Sequence, residues 1–146
     1  MNFNLDESIG FKIEITQRKL KREWIKLFRK QGIDITPNHW VILYRLVEEE
    51  GLTQVEISKR TFKDTANITH ILDLLVKKEL VERVPVESDR RVFRIYLTDK
   101  SRSLMKTVPK IVASNLRAVT KGISKEEIET TKKVLEKMYA NLSQEN

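Results

Sequence analysis

Cysteine is absent from the 146 residues. That absence excludes disulfides, thiolate metal ligands and thiol-based redox sensing in this chain. Glycine and proline are nearly as scarce, at four and three residues. Few breakers therefore interrupt the 3.6-residue apolar periodicity, and a mostly helical chain is expected. No apolar run approaches the roughly 18 residues of a membrane span. The opening Met1-Asn2-Phe3-Asn4-Leu5-Asp6 also lacks the basic-then-apolar order of a signal peptide, so a cytoplasmic protein is expected. No glycine-rich phosphate loop, no nucleophile with a suitable histidine partner and no metal-spaced cluster is visible. Glu48-Glu49-Glu50 and Glu126-Glu127 fall near helix ends and read as solvated charge or dipole complement. Neither an enzyme nor a metal or organic cofactor is expected.

What the chain has is positive charge, a formal +7. This suits a polyanionic partner. The charge is not concentrated where a nucleic-acid reader would be sought. Residues 51–100 hold ten Lys/Arg against eight Asp/Glu, and residues 101–146 hold nine against five. Placement, rather than total charge, has to decide the matter.

The periodicity predicts a first helix over about 5–31, with Ile9, Ile13, Leu20, Trp24, Leu27 and Phe28 on one side and Gly32 as its stop. Thr36-Pro37 opens a second helix, with threonine as N-cap and proline at the first helical position. Its expected buried stripe is Trp40, Val41, Leu43, Tyr44 and Val47, and Gly51 ends it. Thr53-Gln54-Val55-Glu56 is a capping box for a short third helix to about Arg60. A fourth helix follows from Asp64 or Thr65 to Glu79. Residues 80–84 and 92–97 are β-branched and aromatic runs flanking a polar stretch, Pro85 to Arg91, and read as a hairpin with that stretch as its loop. Thr98 caps a long fifth helix in which Pro109 predicts a kink or break. Ser124-Lys125-Glu126-Glu127 is a capping box for the last helix.

Short paired helices followed by a cationic hairpin are the element order of a winged helix-turn-helix. Its second short helix reads base edges in the major groove while the wing reaches a minor groove. On the fourth helix Ile68, Ile71, Leu72 and Leu75 mark the buried face. Thr65, Ala66, Asn67, Thr69 and His70 then point outward near the end that meets bases. A merely solvated face would carry the same polar groups, but Glu and Lys are missing from it until Lys77. Arg90 and Arg91 at a hairpin tip repel each other and gain little in water, yet gain much beside a narrow, electronegative minor groove. Asp89 can hold one guanidinium in place. An ordinary charged turn is the alternative.

The fold expected is mainly α with a small β-hairpin wing, carrying long N- and C-terminal helices. A single domain over 1–146 is expected, with the reader at about 36–98 and terminal helices at about 5–31 and 99–142. Those terminal helices are amphipathic. Burial of their stripes between two copies would give a two-fold homodimer, and packing on one another within one chain is the alternative.

These residues also resemble a known family. Leu52-Thr53-Gln54-x-Glu56-Ile57-Ser58, Asn67-Ile68-Thr69-His70-Ile71-Leu72-Asp73-x-Leu75 and Lys78-Glu79-Leu80-Val81-x-Arg83 are similar to the reader of the MarR (multiple antibiotic resistance regulator) family. Asp89-Arg90-Arg91-x-x-x-Ile95-x-Leu97-Thr98 resembles its wing signature, and Thr36-Pro37-x-x-Trp40-x-x-Leu43 the start of its second helix. The resemblance implies a homodimeric transcriptional repressor of a pseudo-palindromic operator on double-stranded DNA, relieved by a small aromatic or anionic effector. It implies that Arg91 is the wing arginine of the minor groove, with Asp89 its partner, and that Asp64 stands where some members pair an acid with that arginine. His70 stands where many relatives carry arginine, and Lys100-Ser101 where a glycine is common. The resemblance further implies an effector cleft, for which Trp24, His39, Trp40 and Tyr44 are the candidate lining. The alternative for these four is that the aromatics are core and His39 a satisfied helix residue. Two other functions remain open, an architectural DNA binder and a protein-interaction module without effector control.

Overall fold

A computed structural model of the protein describes residues 3–143 and divides after Val112 into two compact units. Helix α1, Ile9–Lys30, starts later than the periodicity suggests, because Asn4 Oδ1 accepts the Asp6 N–H at 3.0 Å and residues 5–7 form a turn. Gln31 caps it and Gly32 follows at φ 69°, a left-handed stop that glycine adopts without strain.

Helix α2, Pro37–Glu48, opens as expected with Thr36 as N-cap. The box partner at its third position is His39, whose Nδ1 accepts the Thr36 N–H at 3.2 Å while Thr36 Oγ1 accepts the His39 N–H at 3.2 Å. The buried face of α2 is Ile42, Leu43 and Leu46 rather than the expected Trp40–Val47 stripe: Tyr44 and Val47 are exposed and Trp40 only partly covered. The stripe and the true face overlap only at Leu43. With apolar residues at nearly every position from 40 to 47, periodicity cannot choose between faces, and the neighbouring elements do.

Strand β1, Leu52–Thr53, leads into α3, Gln54–Thr61, and then α4, Thr65–Lys77. The hairpin follows as β2, Val81–Val86, and β3, Asp89–Leu97. The sheet has three strands in the order β1-β3-β2, all antiparallel. Strand β1 is not legible in the sequence, since two residues carry no periodicity and its pairing partner, Ile95–Arg94, lies some forty residues away. Gly51, at φ 74°, turns the chain into it, and a Cβ there would sit 3.0 Å from the Tyr96 hydroxyl.

The break expected at Pro109 occurs. Helix α5, Asp99–Leu104, ends before α6, Val108–Val119. A proline ring clashes with the carbonyl four residues earlier, here Met105, which is the α5 C-cap. Helix α7, Lys125–Ser143, carries the expected Ser124/Glu127 box and buries no residue. The core lies wholly within the first unit, where Phe28, Ile42, Leu43, Leu46, Ile57, Ile68, Leu72, Leu75 and Ile95 are sealed from solvent. Among the described residues no helix is long and apolar enough to cross a membrane.

The buried His39 has a consequence for stability. Burial pushes its imidazole below the ordinary value, and the Lys78 ammonium adds to the shift while Asp34 opposes it. The folded chain therefore stays neutral there while the unfolded chain takes up a proton below about pH 6.5. The unfolded state then binds more protons, and stability falls as pH drops from that value, by up to about 1.4 kcal/mol per pH unit, until the folded pKa is reached. His39→Gln retains an oxygen that can accept the Thr36 N–H but does not titrate. Urea titrations between pH 8 and 5 should show a steeper acid loss for wild type than for this variant. Equal slopes would remove His39 as the cause.

Candidate nucleic-acid interface

Helix α4 is bound to the body by one face and bare on the other. Ile68, Ile71, Leu72 and Leu75, at the i, i+3, i+4, i+7 spacing, are buried, while Thr65, Ala66, Asn67, Thr69 and His70 are exposed. The helix starts at Asp64, whose Oδ1 accepts the Asn67 N–H at 2.7 Å. Asp64 is thus an N-cap here, and the arginine it might have paired with is held elsewhere.

The reading face is partly committed within the protein. Thr69 Oγ1 donates to the Thr65 carbonyl at 2.9 Å and accepts from the Gln54 amide nitrogen, which also donates to the Thr65 carbonyl at 3.1 Å. A hydroxyl has one proton and two lone pairs. Thr69 therefore keeps one lone pair and a methyl for an outside partner. Gln54, in the first turn of α3, instead locks the two helices at the end that points outward. The sequence pattern gives Gln54 no role, because its bond to Thr69 spans fifteen residues. Asn67 and His70 retain exposed side chains.

The wing differs from its expected form. Only Glu87-Ser88 form the turn, and Asp89, Arg90 and Arg91 are the first residues of β3, with Val86 paired to Asp89. Two-residue turns usually advertise themselves with Asn-Gly or Asp-Gly. Here neither turn residue has a positive φ, and a register shift between Pro85 and Val86 takes up the mismatch in twist. Pro85 is tolerated because β2 is an edge strand. That shift pairs Pro85 with Phe93 but Val86 with Asp89, so Arg90, Arg91 and Val92 bulge from β3 without a partner on β2. Asp89 lies on the Arg91 side. Its Oδ1 accepts from the Arg91 backbone N–H at 3.1 Å and from Nε at 3.2 Å. That pairing leaves the two terminal guanidinium nitrogens outward on a side chain 91% exposed.

Wing and α4 are tied to each other. Arg83 on β2 donates through Nη2 to Asp73 Oδ1 on α4 at 2.6 Å. At the other edge Arg94 Nη1 donates to the Gly51 carbonyl at 2.8 Å.

A separate hollow of about 740 Å³ opens between the α1–α2 linker, the end of α4 and α5. Ile33, Ile35, Leu80 and Leu104 supply apolar wall, and Asp34, Lys78 and Lys100 the charge. The Lys78 ammonium is hydrogen-bonded to the Asp34 carboxylate, and this bond and its charge hold the Asp34 carboxyl below the usual range. Lys100 Nζ donates to the Lys78 carbonyl at 2.8 Å. None of Trp24, His39, Trp40 and Tyr44 lines this hollow. Trp24 and Trp40 pack on the core, Trp40 meets Tyr44 with ring centroids 4.9 Å apart, and His39 is buried as the α2 cap partner. Among the described residues no three His, Asp or Glu side chains converge as a metal site would require.

The sequence profile of the MarR family matches residues 33–92, which span α2 to the start of β3. Among solved structures the chain is similar to a mutant MarR from E. coli complexed with operator DNA, at 27% identity and a TM-score of 0.82, over 94% of this chain and 98% of that one. It is similar to the MepR–DNA complex of S. aureus at 24% identity and a TM-score of 0.83, over 92% and 98%. The fold is shared with the PcaV transcriptional regulator of Streptomyces coelicolor in complex with its natural ligand, at 18% identity and a TM-score of 0.83, over 96% and 97%.

Proposed function

We propose that the chain is a member of the MarR family, whose sequence profile matches residues 33–92, and that it is a homodimeric transcriptional repressor of a pseudo-palindromic DNA operator, released by a small anionic or aromatic effector. One observation carries the DNA-binding part of this reading. The bare polar face of α4 is fastened through Arg83–Asp73 to a wing whose Arg91 is pre-oriented by Asp89. A rigid helix and a rigid cation at a set spacing match a major groove and the minor groove next to it. Asn67 and His70 are the side chains we assign to base edges, with Thr65 and the remaining lone pair of Thr69 beside them. Arg91 is assigned to the minor groove, and Arg90 beside it to a flanking phosphate.

The dimer follows from surface that water would not favour. Helix α7 buries nothing although Val134, Leu135, Tyr139 and Leu142 are exposed on it, and Ile9 and Ile13 are exposed on α1. For the effector, the hollow beside Lys78 and Lys100 offers an anion two cations and an apolar wall, and Lys78 directly follows the last residue of α4.

Selecting DNA from a random pool with the purified protein tests this reading. A symmetric site is expected, with half-site centres about one helical turn apart. If each protomer neutralises about four phosphates, log K against log[salt] should slope at roughly −7. Sedimentation at micromolar concentration should give twice the chain mass. A slope near zero, a sedimenting monomer or no preference for a symmetric site would overturn it.

A further inference from the structure

The exposed face of α4 is widened on one flank by a side chain from another helix. At about 100° of turn per residue, His70 lies near the middle of that face, Asn67 on one flank, and Thr65 and Thr69 on the other. Gln54, at the first position of α3, reaches the threonine flank. Its Nε2 donates both to the Thr65 carbonyl at 3.1 Å and to Thr69 Oγ1. The Gln54 carboxamide therefore sits at the edge of the α4 face, on the side away from Asn67.

The two partners fix which way round the amide stands. The Thr65 carbonyl can only accept. The Thr69 hydroxyl could donate or accept, but its single proton goes to the Thr65 carbonyl at 2.9 Å, so it meets Gln54 with a lone pair. A flipped amide would set its oxygen against two other acceptors. Nε2 has two protons, and both are spent inside the protein. Oε1 is the group left over. Among the described residues it accepts no hydrogen bond, and no buried side-chain oxygen or nitrogen lacks a partner, so Oε1 is open to water. Clamping α3 to α4 uses the nitrogen alone and leaves the oxygen held in one orientation.

We propose that Gln54 is a base-reading residue contributed by α3, which presents Oε1 to an exocyclic amino group in the major groove, adenine N6 or cytosine N4. The inference rests on the reading of α4 as the major-groove helix and adds a contact that α4 itself does not supply. An unconstrained glutamine takes adenine with both ends of its amide, accepting from N6 and donating to N7. Here the donors are spent, and Gln54 only accepts. It recognises an amino group and rejects the carbonyl that guanine O6 or thymine O4 would place there. A phosphate is excluded as its target for the same reason, since a phosphate oxygen needs a donor. Thr69 is a positioning residue, because its lone pair helps to hold the amide.

Removing one amino group at a time from the selected operator tests this with the full-length protein. Purine replaces each adenine and pyrimidin-2-one each cytosine, at matching positions of both half-sites. At one position wild type should bind about fourfold to a hundredfold more weakly, a net hydrogen bond being worth about twofold to tenfold in each half-site. Gln54→Ala, and Gln54→Met, which keeps the stem without an acceptor, should bind the unmodified operator more weakly and be indifferent to the analogue there. Asn67→Ala should stay sensitive at that position. Any effect of the analogue on the duplex itself is common to all the proteins and cancels in the comparison. Thr69→Val frees an amide proton and should lower the penalty for guanine or thymine at the same position; an unchanged penalty would remove Thr69 from its positioning role. If both Gln54 variants weaken on every duplex alike and keep the wild-type response to each analogue, Gln54 is a clamp only, and the DNA-binding reading stands without it. If wild type binds no symmetric duplex, both readings fall together.

Discussion

Replacing Arg91 by alanine is expected to cost the dimer roughly a hundredfold to a thousandfold in operator affinity. Each charge-assisted hydrogen bond from a wing arginine is worth about 1.5–2 kcal/mol, and the loss counts twice because each protomer presents one wing. The structure makes the loss larger than for an average surface arginine. Asp89 holds the Arg91 Nε at 3.2 Å and its backbone N–H at 3.1 Å, so little freedom remains to be lost on binding. Removing the guanidinium also leaves the Asp89 carboxylate unpaired next to phosphates. Folding should be untouched, because the side chain is 91% exposed and packs on nothing. Base preference in the major groove should not shift, whereas A·T-rich flanks should matter less. His70→Ala provides the contrast. It should leave non-specific affinity alone and relax selectivity at one position per half-site by roughly 1–3 kcal/mol. Isotherms on the cognate site and its single-base variants separate the two. Wild-type affinity in Arg91→Ala, or a fall in melting temperature large enough to explain the weaker binding, would sink the assignment of Arg91.

Leu72→Ala, two residues beyond His70, should do the opposite. Leu72 is fully buried between α4 and the core. Truncating it removes the transfer free energy of three carbons and leaves a cavity that close-packed neighbours fill only in part, a loss of about 2–5 kcal/mol. A domain of this size has about 5–15 kcal/mol in total, so the variant should melt many degrees lower and remain partly unfolded when warmed. Its folded fraction should still bind operator in the cold with near-native affinity and unchanged base preference, since the outward face keeps every group. Denaturant midpoints and cold binding isotherms decide it. A variant of native stability would mean that α4 is not packed by this face. A variant that folds but misreads bases would mean that packing and reading are not separable on α4.

Apart from the hairpin, whose strands pair residues up to sixteen apart, the parts of this protein legible without coordinates depend on interactions within about four residues. Thr36-Pro37, the Thr53/Glu56 and Ser124/Glu127 boxes, the Gly32 stop and the Pro109 break are all of that kind, and each appears as expected. The buried face of α4 is legible too, because its polar and apolar residues alternate cleanly enough to admit one rotation. The α2 stripe fails by the same logic, since a helix apolar nearly all round admits several rotations.

The candidate interface divides along the same line. Sequence pattern alone picks out the wing arginines and the polar run of α4, because charge at a turn and missing Glu and Lys are local signals. It cannot foresee that Thr69 is engaged by Gln54 or that Arg90, Arg91 and Val92 bulge unpaired from β3. The first depends on how α3 crosses α4, and the second on a turn closed by strand register rather than by a glycine. Nor can it bring Asp34, Lys78 and Lys100 to one hollow. Hydrogen-bonded caps and helical spacing are settled by nearest neighbours along the chain. Which side chains are spent inside the protein and which remain for DNA is settled only when segments ten or more residues apart close on one another.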